Sequence, residues 1–188
     1  MPRLFIGMRL PGTYRQQLSP LIKSISELTD TSINWSRPTT WHLTLKFLGE
    51  TDEARIPAIQ NALSAIDFPA FTMRAGAAGA FPDAKRPKTL WLGLDQGAKE
   101  SAALARVIED KLYAVSIPRE KKRFRPHLTL GRVRKPRIAD RKAVLDRAAD
   151  HDWPPFSVNG FTLWQSILPP AAGGAYLSLE MAKGENAC

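Results

Sequence analysis

With 188 residues, 44% of them apolar, the chain is long enough to bury one ordinary hydrophobic core and too apolar to remain disordered. Its formal net charge of +9 comes from one stretch: between Arg119 and Lys142, eleven Lys and Arg face only Glu120 and Asp140. Such a stretch attracts polyanions by Coulomb force and counterion release. Cys188 is the single cysteine, which excludes an intrachain disulfide and a cysteine-built metal centre.

No run approaches the about 20 apolar residues of a membrane span. The opening Met1–Ile6 runs quickly into Arg9 and lacks the apolar core of a signal peptide, so a soluble, cytoplasmic setting is expected.

In chain order, Leu4–Leu10 reads as a short apolar strand, stopped by Pro11-Gly12. Thr13 is placed to cap a helix carrying Leu18, Leu21, Ile22, Ile25 and Leu28 at helical spacing. Pro20 must then fall early in that helix or kink it. Ile33–Trp35 reads as a brief strand and Thr40–Leu48 as a stronger one, closed by Gly49. Asp52 caps a second helix with Ile56, Ile59, Ala62, Leu63 and Ile66 inward. Phe68–Ala77 is extended and leads into a Gly/Ala-rich loop. Thr89–Leu94 is a strand and Lys99–Tyr113 a helix. His127–Val133 is a strand, Ile138–Ala148 a helix, and Phe156–Leu168 and Ala175–Met181 the last two strands.

Two segments, 40–66 and 127–148, each run strand then helix, and each opens on the same tetrapeptide. These are His42-Leu43-Thr44-Leu45 and His127-Leu128-Thr129-Leu130. The chain has three histidines, and two of them begin this motif. Side chains alternate faces along a strand, so His42 and Thr44 share one face and Leu43 and Leu45 the other, with the same division in the second copy. The simplest account is two similar lobes, each hanging an imidazole and a hydroxyl over a shared centre. In-line attack at phosphorus needs a base on one side and an acid on the other. Histidine, with an ordinary pKa of about 6.5, serves as either near neutral pH. Threonine hydroxyls can donate to nonbridging phosphoryl oxygens. Acidic residues are not clustered at either motif, so no metal site is expected. A strained cyclic phosphodiester is the substrate this chemistry suits.

The segments Trp41–Glu50 and Phe124–Arg132 resemble the two-histidine phosphoesterases, in their RNA 2′,3′-cyclic phosphodiesterase (2′-5′ RNA ligase) branch. Weaker echoes lie in Arg3–Leu10, in Lys88–Leu94 with Trp91, and in Trp164–Leu168. The resemblance implies one bilobal α/β (α+β) domain over residues 1–188. Its lobes would be related by a pseudo-twofold, with two antiparallel-rich sheets facing a central cleft and helices outside. It implies hydrolysis of a 2′,3′-cyclic phosphate at an RNA end to a 2′-phosphate by a monomer, without metal or cofactor, with 2′-5′ ligation as a side activity. It also implies His42 as proton donor and His127 as proton acceptor, with Thr44 and Thr129 holding the phosphate. The residues alone leave the two histidines interchangeable.

Further substrate-binding candidates are Arg132, Arg125 and Phe124. On ideal alternation Arg132 faces away from His127, and a bulge at Gly131 is needed to turn it inward. Arg125 shares the His127 face if the strand starts early. Lys46 falls on the face of His42 and Thr44. Phe124, Trp35 and Trp164 are candidates to stack a base. His151 matches no motif, and Ser166 lacks a nucleophile elbow. Two other functions fit the same residues: a non-catalytic RNA-binding module, and a phosphodiesterase for another 2′-5′ or cyclic-nucleotide bond.

Overall fold

The computed structural model describes residues 1–134, 141–167 and 175–183, with Arg141, Ala175 and 180–183 as backbone only. Its elements are β1 (Arg3–Arg9), α1 (Gly12–Ser26), β2 (Ile33–Trp35), β3 (His42–Glu50), α2 (Ile56–Ser64), β4 (Phe71–Phe81), β5 (Thr89–Gln96), α3 (Ala98–Ala114), β6 (Leu128–Val133), α4 (Arg141–Ala149), β7 (Phe156–Val158), β8 (Gly160–Ile167) and β9 (Ala175–Lys183).

The strands follow the spatial order β7-β4-β5-β6-β3-β1-β8-β9, with β2 added beside β6, and every pairing is antiparallel. The fold is therefore mixed α/β. The two strands that carry the repeated motif meet in the middle through one residue pair, Leu43 with Leu128. Four strands extend outward on each side of that junction.

β1 is buried along its apolar stretch, Leu4 to Met8, as a central strand covered on both faces must be. Leu4, Ile6 and Met8 join a core with Leu43, Leu45, Leu128 and Leu130. To these α1 adds Leu18, Leu21 and Ile25, and α3 adds Leu104, Ile108 and Leu112. Each such side chain, fully buried, contributes about 1.5–3 kcal/mol. The helices cover this leucine face, which leaves the opposite face of the motif strands to the histidines.

Several boundaries depart from the sequence reading. Helix α1 begins at Gly12, capped by Pro11 with no side-chain bond, so Thr13 is not the cap. Pro20 falls mid-helix on the exposed side. Asp52 does cap, accepting from the Ala54 amide at 3.1 Å, but it opens a short 3₁₀ turn ahead of α2. The Gly/Ala-rich segment is not a loop: β4 continues through it to Phe81, because Gly79 lies beneath the ring of its partner Trp91, where a Cβ would come within 2.3 Å. Phe156–Leu168 is not one strand. It breaks at Asn159, since β7 pairs with β4 and β8 with β1 in different parts of the sheet. Residues 138–140 and Leu168 lie outside the described residues.

Candidate active site

Along β3 burial alternates as the motif requires. Leu43 and Leu45 are buried, and His42 and Thr44 are half-buried on the other face. Leu128 and Leu130 alternate with half-buried His127 and Thr129 in the same way. Because Leu43 pairs with Leu128 in antiparallel sense, the four polar side chains emerge on one face around that junction. Trp41, the residue before His42, donates its indole N–H to the Thr129 carbonyl at 2.8 Å. The Ser36 hydroxyl donates to the same oxygen at 2.6 Å. One motif is thus fastened to the other.

Each histidine is oriented by the carbonyl two residues earlier. His42 Nδ1 lies 2.7 Å from the Thr40 oxygen, and His127 Nδ1 lies 2.7 Å from the Arg125 oxygen. A carbonyl only accepts, so Nδ1 carries the proton in both rings and Nε2 is left with its lone pair. His42 Nε2 accepts from the Thr44 hydroxyl at 2.9 Å. His127 Nε2 has no hydrogen-bond partner among the described residues.

After the second leucine, both strands carry a bulge. In β3 the register passes from Gly7–Thr44 to Ile6–Lys46, so Leu45 is the extra residue and alternation reverses. In β6 it passes from Trp91–Thr129 to Leu90–Gly131, and Leu130 is the extra residue. The consequence for the first copy corrects the sequence reading. Lys46 turns to the core side, 3% exposed, where Nζ donates to Glu109 Oε1 at 2.6 Å and to the Pro118 carbonyl at 2.9 Å. Phe47 returns to the histidine face, 60% exposed. In the second copy Gly131 is buried and Arg132 returns to the histidine face, exposed. The bulge that Arg132 required is present, one residue earlier than Gly131.

Aromatic rings back both imidazoles. Phe5, Trp164 and Tyr176 stand around His42 with centroids at 4.9, 5.4 and 5.2 Å. Phe81 and Trp91 stand beside His127 at 5.0 and 6.3 Å. Arg9, opposite His42 in the register, lies over the Trp164 ring at 5.2 Å. This burial lowers the His42 pKa to about 4, with the neighbouring His127 pushing the same way and the Thr40 carbonyl opposing. His127 is also lowered, by burial first and then by the Arg132 guanidinium, against the Arg125 carbonyl. The Arg132 charge lowers Tyr176 as well, on a background of burial that raises it. Arg132 is therefore felt on both sides of the site.

A groove of about 920 Å³ starts at Thr44 and His127 and runs toward α3. Phe124 and Arg125 line it; Phe124 is half-buried against the core and Arg125 is exposed. A smaller pocket of about 70 Å³ lies at His42, between Arg9, Arg15, Thr40 and Tyr176. Trp164 is buried beside His42, whereas Trp35 packs against the core next to Gly131 and takes no part. His151 Nε2 donates to Gln17 Oε1, 2.8 Å away, and the ring lies on Trp153, away from the motifs. Among the described residues no three or more His, Cys, Asp or Glu side chains are grouped to hold a metal ion, and no helix is long and apolar enough to cross a membrane.

The sequence reading did not single out Phe5, Arg9, Phe81 or Tyr176. Their signal is positional. Phe5 and Arg9 share a parity in β1 that faces the site only once β1 is registered against β3, and that register depends on the bulge.

The sequence profile of the family described as LigT like Phosphoesterase matches residues 9–91 and again 92–172. The chain belongs to the LigT-like phosphoesterase family. Among relatives of this LigT-like chain, a protein of Archaeoglobus fulgidus named RNA 2′,3′-cyclic phosphodiesterase is 31% identical over 89% of this chain and 93% of its own length. One of Thermus thermophilus with the same name is 32% identical over 95% of this chain and 88% of its own. The crystal structure of TT0787 of Thermus thermophilus superimposes with a TM-score of 0.75 at 28% identity, covering 98% of this chain and 100% of that one. The Escherichia coli LigT structure complexed with 3′-AMP shares the fold, with a TM-score of 0.75 at 22% identity over 98% and 99% of the two chains.

Proposed function

We propose that this LigT-like phosphoesterase is an RNA 2′,3′-cyclic phosphodiesterase that opens a terminal 2′,3′-cyclic phosphate to a 2′-phosphate. The observation that carries the reading is the pair of imidazoles with Nδ1 committed to a carbonyl and Nε2 turned to one common face. Residues 1–188 act as one unit in which each half supplies one motif, a reading supported by the two successive family matches.

In this reading a water oxygen attacks phosphorus while His127 Nε2 takes its proton. The P–O3′ bond opposite breaks, and protonated His42 delivers its Nε2 proton to O3′. Thr44, Thr129 and Arg132 hold the nonbridging oxygens as charge builds on them. The surroundings of the rings support this division. Arg132 is a fixed cation near His127 and favours its neutral, proton-accepting form. His42 is held neutral chiefly by burial among aromatic rings, a bias that an adjacent phosphate anion offsets. Proton uptake at His42 then accompanies substrate binding.

The test is hydrolysis of a nucleoside 2′,3′-cyclic phosphate in excess chelator by wild type, His42→Ala and His127→Ala. Release of the 2′-phosphate isomer by wild type alone is expected. A substrate with sulfur in place of O3′ needs no proton on its leaving group, so it restores turnover to His42→Ala and not to His127→Ala. Absence of wild-type turnover, or loss of it to chelator, overturns the reading.

A further inference from the structure

The burial of Lys46 is not explained by stability. Its side chain is 2% exposed and meets Glu109 Oε1 at 2.6 Å, where the Glu109 side chain is 17% exposed. Withdrawing two charges from water costs as much as their attraction returns, and an apolar pair of similar volume often serves a fold as well or better. Among the described residues the other ion pairs, Arg74–Asp152, Arg119–Asp110 and Lys142–Asp146, all lie in solvent.

What the charged pair supplies, and an apolar pair would not, is direction. Lys46 Nζ also donates to the Pro118 carbonyl at 2.9 Å, and Glu109 Oε2 accepts from the Glu120 amide at 3.2 Å. The pair thus holds the backbone within residues 117–127, the stretch between α3 and β6 that forms neither helix nor strand. Arg55 fixes where this stretch leaves α3, donating to the Val115 and Ser116 carbonyls at 3.1 and 2.8 Å. Further along, Phe124 packs against the core, and the Arg125 carbonyl accepts from His127 Nδ1 at 2.7 Å. The stretch forms a basic wall of the groove, and its far end orients the imidazole.

Lys46 lies where the two motif strands part. On one side of the Leu43–Leu128 pair, Trp41 and Ser36 fasten the strands through the Thr129 carbonyl. On the other side β3 runs on through Thr44 to Phe47, the chain before β6 leads back from His127, and the groove opens between them. The bulge at Leu45 turns Lys46 to the floor of that groove. From there the ammonium reaches α3 and the wall together. The first motif therefore carries, just past its own repeat, the strut that sets the approach to the second histidine.

We infer that Lys46 and Glu109 are positioning residues for His127: they hold the stretch whose Arg125 carbonyl keeps the proton on Nδ1 and leaves Nε2 free to take one from water. The inference rests on the cyclic phosphodiesterase reading and adds to it a pair that touches no reacting atom. The two charges cancel, and the cation that lowers His127 is Arg132, so the pair acts through geometry and not through its field.

The experiment replaces the pair by apolar groups, Lys46→Met/Glu109→Leu, in the full chain. The melting temperature is expected to match or exceed that of wild type. The kcat for cytidine 2′,3′-cyclic phosphate in excess chelator is expected to fall about 100-fold, the loss that a displacement of about 1 Å produces, with KM changed much less. A substrate with sulfur in place of O3′ still needs a base, so it is expected not to restore turnover. Long-range nitrogen–proton NMR spectra report the ring tautomers directly, with three histidines in the chain to resolve. His127 is expected to pass from the Nδ1–H form to a mixture of tautomers in the variant, while His42 stays unchanged as the internal reference. Should the double variant fail to fold, the isosteric Glu109→Gln carries the same test. Its side chain offers one acceptor where the carboxylate offers two, so Lys46 and the Glu120 amide cannot both be held; a smaller loss of kcat and the same change at His127 are expected. A folded variant with wild-type kcat overturns the inference, because the pair then serves the fold alone. Lost turnover with the His127 tautomer unchanged, or restored by the sulfur substrate, overturns it as well, because the damage then lies elsewhere than at His127. Failure of wild type to hydrolyse the cyclic phosphate is the separate outcome that overturns the function on which it rests.

Discussion

The lowered histidine pKa values make the pH dependence of KM the most discriminating property of this site. In the free enzyme burial lowers His42 to about 4 and holds His127 below its ordinary value, whereas the proposed reaction needs one proton shared between two rings. The pair titrates as a unit, so the limbs belong to the pair and not to single residues. With both groups below about 6.5, the productive form falls tenfold for each pH unit above that value, or about 30-fold by about pH 8. A bound phosphate reverses the bias. One negative charge about 4 Å from an imidazolium, at an effective dielectric of about 20, stabilises it by about 4 kcal/mol, or about 3 pKa units. In the complex the His42 pKa therefore rises, and the basic limb of kcat moves up with it. The expected result is a kcat/KM that peaks on the acid side of neutrality and declines toward alkaline pH ahead of kcat, so that KM rises with pH across the interval between the two basic limbs. Initial rates with a nucleoside 2′,3′-cyclic phosphate across this range measure it. Basic limbs of kcat and kcat/KM that coincide would refute the argument, because substrate binding would then not be supplying the proton affinity.

Replacing Thr44 or Thr129 by Val keeps the shape and deletes a hydroxyl. The loss of a hydrogen bond to a charged oxygen is worth about 1.5–3 kcal/mol, so single-turnover rates are expected to fall about 10- to 100-fold with the thermal midpoint little changed. Arg132→Gln removes the cation that depresses His127; the acid limb of kcat/KM is expected to move upward in pH, together with an increase in KM. Gly79→Ala puts a Cβ within 2.3 Å of the Trp91 ring. Overpacking of this kind costs about 1–3 kcal/mol, so a lower melting temperature and a weaker kcat are expected from displacement of Trp91 beside His127. An unchanged melting temperature would mean that the ring is not seated as described.

The motif was legible because it is written in residues next to each other. A strand period of two is enough to put His42 and Thr44 on one face and two leucines on the other, and the structure divides them so. Mixed α/β character was legible for the same reason, from short-range periodicities and proline stops. What the sequence withheld depends on register. Arg132 and Lys46 exchange faces because Leu45 and Leu130 are extra residues against β1 and β5, and a bulge has no local composition that announces it. The break at Asn159 has the same origin: β7 and β8 look continuous, and only the separate partners β4 and β1 divide them. The extent of β4 was hidden because Gly76 and Gly79 read as loop residues, while Gly79 in fact accommodates a tryptophan on the neighbouring strand.

The two bulges also explain how a repeated motif yields unlike halves. Up to the second leucine the copies are interchangeable, and a symmetric pair of imidazoles would have no reason to divide the labour of an in-line displacement. Beyond it they diverge at matched positions. The first copy buries Lys46 and presents Phe47; the second buries Gly131 and presents Arg132. A charged residue on the core side of β3 demands Glu109, and that pair in turn fastens the basic wall on the approach to His127. A guanidinium on the site side of β6 biases His127 toward its neutral form, whereas His42, among aromatic rings, is kept so chiefly by burial. In the proposed mechanism the repeated residues provide two equivalent proton carriers, and the residues just past the bulges make one of them respond to substrate more than the other.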